Sequence, residues 1–260
     1  MQHDATIAQI RALHRDRVYL METRKILDLR LGALLRRALG WRKDLPEAER
    51  KKIANQAAAL MKEPEGSELE EMIRLSLKAK EPFETKEREL LKDMEKLADT
   101  LPVWCTFGEP IRGFGRGSLA VIVAEAGDLS NYADHSKLWK RMGLAVMDGV
   151  RQGGLPKGAS KEDWIAHGYS PMRRSRMWNI GDALIKGNRE GKYRTLYLQR
   201  KAYELAREPE MQPIKAHRRA QRVMEKRLLK DLWRAWREAN ERVSEQTLRP
   251  MSPTEIRDAA

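Results

Sequence analysis

Apolar side chains recur at three- and four-residue intervals from Ala5 to Trp41, at Ile7, Ile10, Leu13, Val18, Leu20, Ile26, Leu29, Leu31, Leu34 and Leu35. Charges of both signs fill the positions between them, and no proline interrupts the run. That spacing predicts one long amphipathic helix of coiled-coil character. The stretch DLPEAERKKI predicts a restart, with Asp44 as the cap and Pro46 near the first turn. Residues 65–80 and 84–100 predict two further charge-laced helices, so the first hundred residues form a helical hairpin or small bundle.

The pattern changes at residues 111–126, IRGFGRGSLAVIVAEA, where Gly113, Gly115 and Gly117 alternate with Arg112, Phe114 and Arg116 before an apolar run. Glycine takes positive φ without steric cost and lets a ligand or another backbone come close. A helix start also leaves its first N–H groups without intrahelical partners, so such a turn can cradle a phosphate. A dinucleotide fingerprint is excluded, because no buried strand precedes the glycines and their spacing is wrong. A nucleotide phosphate loop is excluded because no G-K-[ST] follows. What remains is a tight turn between two short helices, its amides facing either a nucleic-acid backbone or the protein core.

Downstream, helices are predicted over 118–126 and 134–142, the second ending at Gly143. GVRQGGLPKGASKED then reads as a mobile loop. Helices follow over 171–186, 192–207 and 213–243, and residues 249–260 read as frayed. The fold class is therefore all-α: an arm over 1–100, a central helical domain over 101–187, a basic helical extension over 188–246 and a tail over 247–260.

Charge sharpens this picture. The chain carries 51 Lys+Arg against 38 Asp+Glu, a net charge of +13. The first hundred residues hold 21 basic and 19 acidic side chains, whereas 173–249 alone hold 21 and 10. A basic half beside a balanced half suits a polyanion-binding module joined to a structural one. One cysteine, Cys105, rules out an internal disulfide framework or a cysteine-rich zinc site. No apolar run approaches the roughly 20 residues of a membrane span, and the N-terminus lacks the order of a signal peptide. These features point to a cytoplasmic protein with no membrane partner.

Candidate contacts follow from the basic faces. On the last helix, Arg218, Arg219, Arg222, Lys226, Arg227, Lys230, Arg234 and Arg237 surround an apolar stripe, with only Glu225 and Asp231 among them. Solvated faces usually mix signs, so this one is read as tracking phosphates. Arg173, Arg174 and Arg176 crowd a helix start, where an anion would relieve their conflict with the helix dipole. Tyr193, Tyr197, Tyr203, Trp178, Trp233 and Trp236 lie among these bases and either stack on nucleobases or fill the core. The five histidines are scattered without metal-ligand spacing, and neither a metal nor a cofactor is expected. Ser170, just before Pro171, reads as a helix cap.

The segment IRGFGRGSLAVIVAEAGDLSNYADHSKLWKRMGL resembles the C-terminal transposase domain of the insertion-sequence recombinases that use a bridge RNA. The likeness rests on Gly113, Phe114, Gly115, Ala120, Gly127, Asp128, Leu129, Tyr132, Lys137, Leu138, Gly143 and Leu144, and spans about residues 6–40 and 101–187. It implies a helix-hairpin-helix whose glycine turn presents amides to a phosphate backbone, behind a coiled coil. Three departures matter. The family's RuvC-like nuclease domain has no counterpart, Arg112 replaces a proline, and GLAVMDGVRQGG has Gln152 before Gly153 where the family has its catalytic serine.

The basic faces and the resemblance together lead to a non-catalytic nucleic-acid-binding protein, expected to derive from a phage or mobile element, to bind DNA or RNA and to oligomerise through its N-terminal helices. Its contacts would be Arg112, Gly113, Gly115, Arg116, Gly117, Arg173, Arg174, Arg176, Arg218, Arg219, Arg222 and Lys226. Two alternatives remain open. One is a recombinase subunit that uses Ser170 or Ser175 with a partner nuclease; the other is a structural assembly protein.

Overall fold

The computed structural model describes residues 3–187 and 190–248, with side chains as far as Arg242. The expected fraying of 249–260 lies outside the described residues. Among the described residues the protein is all-α apart from one small hairpin. Its helices are α1 (Asp4–Ala38), α2 (Glu47–Leu60), α3 (Glu70–Asp99), α4 (Arg116–Ala126), α5 (His135–Arg141), α6 (Lys161–His167), α7 (Pro171–Gly187), α8 (Lys192–Arg207) and α9 (Pro213–Leu248). Strands β1 (Val146–Met147) and β2 (Val150–Arg151) pair antiparallel. Among the described residues no helix is long and apolar enough to cross a membrane.

The chain divides into two compact units, residues 12–93 and residues 1–11 together with 94–260. In the smaller unit, Arg17 and Arg24 of α1 reach Glu87 of α3, and Asp28 of α1 reaches Lys80 of α3. The partner on α3 moves back as the chain advances along α1, so the two helices run antiparallel. Beyond these ion pairs Leu31 and Leu35 of α1, Ala57 of α2 and Ile73 of α3 form a buried cluster, with Leu39, Leu60, Met61, Leu69 and Leu77 packed on it. α1 stops where Gly40 takes φ +79° and the Trp41 N–H donates to the Arg36 carbonyl at 2.9 Å. Tyr19, Ile26 and Leu29 of α1, with Leu75 of α3, stay 49–68% exposed.

Two expectations for this unit change. Asp44 does not cap α2; Pro46 occupies the N-cap with no side-chain hydrogen bond, and Asp44 instead lies 3.6 Å from Arg42. The two helices expected over 65–100 are one, α3, with Pro82 inside it. A proline there removes a backbone bond at a cost of about 3 kcal/mol. Lys80, two residues before it, is held by Asp28 at 3.1 Å and Glu84 at 3.3 Å, which ties the interrupted turn to α1.

In the larger unit α7, α8 and α9 pack on one another, and α9 also packs on α5. The division expected between 187 and 188 therefore does not separate bodies: α8 and α9 complete the core rather than extend from it. α9 supplies Ala216, Ala220, Met224, Leu228, Leu229, Leu232, Trp236 and Ala239 to that core, and Ala220, Met224, Leu228, Leu232 and Trp236 among them lie on the stripe its periodicity predicts. Indole N–H groups clasp the helices: Trp139 donates to the Lys226 carbonyl at 2.9 Å, Trp233 to the Tyr132 carbonyl at 3.0 Å and Trp236 to Asp128 Oδ1 at 2.8 Å. Asp134 caps α5 by accepting from the Ser136 and Lys137 amides.

Of the segment expected to be a mobile loop, residues 152–160 are irregular, but its start belongs to a hairpin and its end to α6. Val146-Met147 and Val150-Arg151 pair across Asp148 (φ +51°) and Gly149 (φ +74°), both in the left-handed region that a tight two-residue hairpin requires. Gln152, 3% exposed, follows: its side chain accepts from the Ala145 amide and donates to the His167 carbonyl, each at 3.4 Å. His167 Nε2 meets the Gly153 carbonyl at 2.7 Å. Ser160 and Asp163 then form a reciprocal capping box that starts α6.

Candidate nucleic-acid interface

The hairpin places Arg151 against the basic side of α9. Arg222 of α9 donates from Nη2 to the Ala145 carbonyl at 3.1 Å, fastening the foot of the hairpin to the helix. A cleft of about 830 Å³ opens here between the hairpin, α8 and α9. Arg151, Arg200, Arg207, Lys215, Arg218, Arg219, Arg222 and Lys226 line it, and Glu204 is the one carboxylate in its wall among the described residues. A second cleft, of about 480 Å³, shares Arg151, Arg218 and Arg222 with the first and adds Arg174, Ser175, Tyr169 and Trp178. The two form one basic surface.

Buried acids organise that surface without neutralising it. Glu204 of α8, 1% exposed, accepts from Arg200, from Arg207 at 3.1 Å and from Arg219 at 3.0 Å. Its burial favours the neutral acid, yet the bonds from Arg219 and Arg200 win and hold the carboxyl below its ordinary range. Three guanidiniums around one carboxylate leave an excess of positive charge. Arg219 also bonds Glu208 at 3.0 Å.

Glu225 of α9 is fully buried, with Arg174 Nη1 at 2.9 Å. Burial pushes its carboxyl up to about 7, against the pull of Arg174 and Arg222. Arg222 is pushed down to about 10 by burial and by the neighbouring charges of Arg174 and Arg151. A guanidinium disfavoured by its own neighbours is a site that an anion stabilises. Room for the Glu225 carboxylate comes from Gly181 of α7, where a Cβ would stand 2.7 Å from both Glu225 Oε1 and Gln221 Nε2.

The raised carboxyl has a measurable consequence. Folded Glu225 keeps its proton to about pH 7, whereas its ordinary value is 4.5. The folded state therefore binds the extra proton between those values, and stability contributed by the neutral acid is lost as pH rises through the window. We expect Glu225→Gln to remove a fall approaching about 1.4 kcal/mol per pH unit. Urea unfolding of both proteins at several values across the window measures it, and parallel curves would refute the raised carboxyl.

Several of the other expected contacts are spent inside the protein. Arg173 and Arg176 both pair with Glu125 of α4, the first at 3.1 Å, and Arg141 donates to the Glu125 carbonyl at 2.8 Å. The conflict between basic residues and the start of α7 is thus answered by internal carboxylates rather than by a ligand. Arg116 sits on Asp99 at 2.5 Å and over the Trp104 ring at 4.9 Å. Gly113 (φ +84°) lies against α7, where a Cβ would stand 2.7 Å from the Ala183 carbonyl oxygen. Gly115 caps α4 and Gly117 lies in its first turn. Arg112 lines a separate cavity of about 680 Å³ with Gly191 and Lys192.

Among the aromatic candidates, Tyr193, Tyr197 and Trp236 are core. Tyr193 donates to Asp231 at 3.1 Å, and burial drives its hydroxyl pKa far up. Tyr203 stays 51% exposed with Arg200 4.7 Å from its ring. Ser170 accepts from the Arg173 amide at 3.4 Å, the cap expected of it, while Ser175 faces the smaller cleft. Among the described residues no group of three or more His, Cys, Asp or Glu side chains is placed to hold a metal.

Arg151, Arg200, Arg207 and Lys215 are the basic residues of the larger cleft that sequence reasoning missed. Arg151 was findable, because Val-Met-Asp-Gly-Val-Arg is a hairpin signal. The α8 pair had none, since only the packing of α8 on α9 brings it to the cleft. No protein-family model, curated protein or solved structure matches this chain.

Proposed function

We propose that the larger unit binds nucleic acid, without itself catalysing a reaction, through the basic surface formed by the 146–151 hairpin, α8 and α9. The observation that carries this reading is the cleft with eight basic side chains and one carboxylate in its wall. Strong positive charge in a concave surface concentrates and tracks phosphates independently of sequence. The resemblance of residues 6–40 and 101–187 to the bridge-RNA transposases supports a mobile-element origin for this module. The exposed Tyr19, Ile26 and Leu29 of α1 support self-association through the arm.

The test is fluorescence anisotropy of labelled DNA and RNA oligonucleotides titrated with the full chain across a salt series. Affinity should fall steeply, with log K linear in log salt at a slope of about −0.7 to −0.9 per phosphate neutralised. Weak, salt-insensitive signals for every oligonucleotide would overturn the reading.

A further inference from the structure

The two clefts share arginines but differ in what lies beside them. The larger is walled almost entirely by charge. The smaller adds two half-buried aromatic rings, Tyr169 and Trp178, with Gly153 and Gly154 on another side. At about 480 Å³ it falls within the range, about 300–1,000 Å³, of pockets that enclose a small molecule.

A duplex presents phosphates outward and keeps its bases stacked and paired inside, so it can satisfy Arg151, Arg218 and Arg222 but has nothing to offer the rings. A single strand presents both groups on each nucleotide. We propose that the smaller cleft receives one unstacked nucleotide, its phosphate on Arg151, Arg218 and Arg222 and its base against Trp178 and Tyr169, so that the partner is single-stranded nucleic acid. This rests on the phosphate-binding reading of the same surface and adds the base to it.

The ring positions are set by the fold. Trp178 lies on α7, its carbonyl accepting from Gln221 Nε2 at 2.8 Å and its ring meeting the His217 ring edge-on, centroids 5.4 Å apart. Arg174, one turn earlier, has its guanidinium 5.9 Å from the same ring. Tyr169 packs where the chain leaves α5, since a Cβ on Gly143 would stand 3.2 Å from its ring. Both rings are therefore in place before a ligand arrives, which lowers the ordering cost of stacking. Base–aromatic stacking tolerates any base, so the cleft selects strandedness rather than sequence.

The experiment compares four labelled probes of equal length by anisotropy on the full chain: single-stranded DNA, single-stranded RNA, duplex DNA, and a single strand with abasic sites throughout. The base-bearing single strands are expected to bind about tenfold more tightly than the abasic strand and than the duplex. Trp178→Leu is expected to erase the difference between base-bearing and abasic strands while leaving the salt slope in place. Equal affinity for base-bearing and abasic strands, or a preference for duplex, overturns the inference with the unaltered protein alone. Salt-sensitive binding in that case leaves the phosphate-binding reading standing, whereas its absence for all four probes removes both. The DNA and RNA arms identify which sugar the site accepts.

Discussion

Reversing Arg151, Lys215 and Arg218 together to Glu is expected to weaken oligonucleotide binding by roughly a hundredfold and to flatten the salt dependence. All three are exposed, line the larger cleft and form no ion pair among the described residues. All three side chains are exposed, so the fold should be kept. Each lost charge-assisted contact is worth about 1 kcal/mol or more, and about 1.4 kcal/mol corresponds to a decade in affinity, so three lost contacts amount to about two decades. The slope of log K against log salt should fall in magnitude by about 2 to 3, because each phosphate contact contributes about 0.7 to 0.9. Arg112→Glu serves as the control. It removes an exposed arginine next to the glycine-rich turn, outside both basic clefts, and is expected to change affinity by less than about threefold. Binding that survives the triple reversal but fails in Arg112→Glu would move the interface to the turn before α4.

The contrast between those variants reflects what one-dimensional patterning carries. Helical spacing on α8 and α9 was legible because a buried stripe repeats every three or four residues, and the buried set Ala220, Met224, Leu228, Leu232 and Trp236 is what that spacing demands. Which arginines stay available was not legible. The run Arg173, Arg174, Arg176 looks in sequence like a phosphate cluster, yet Arg173 and Arg176 are matched by Glu125, 48 to 51 residues earlier, and Arg174 reaches the buried Glu225, 51 residues later. Local composition cannot show a carboxylate that arrives from another helix. The reverse error occurred at Asp148-Gly149, where a short-range turn signal was present but the surrounding glycines suggested a loop. That hairpin is what delivers Arg151 to the cleft.

The glycines of IRGFGRGS are a case where sequence left two readings open and geometry separates them. Gly113→Ala is expected to destabilise the folded protein by about 3 to 5 kcal/mol, whereas Gly115→Ala should change it by less than about 0.5 kcal/mol. At position 113 two penalties add. The residue has φ +84°, which costs an L side chain about 1 kcal/mol or more. The new Cβ would also stand 2.7 Å from the Ala183 carbonyl oxygen and 3.1 Å from Leu184 Cα, and both are backbone atoms of a packed helix that cannot rotate away. Gly187, one turn further along α7, meets the same turn, with an added Cβ there 2.9 Å from Gly113 Cα. Gly115, by contrast, has φ −81° and no atom within 4 Å of an added Cβ. Alanine there loses unfolded-state entropy, which favours folding, and caps α4 slightly less well, which opposes it. Denaturant midpoints for the two variants, taken with unchanged slopes, measure the difference. If the turn were bare in order to let a phosphate approach, both variants would fold alike and both would lose affinity. A large stability gap between them instead fixes the role of Gly113 as the contact that seats the turn before α4 on the end of α7.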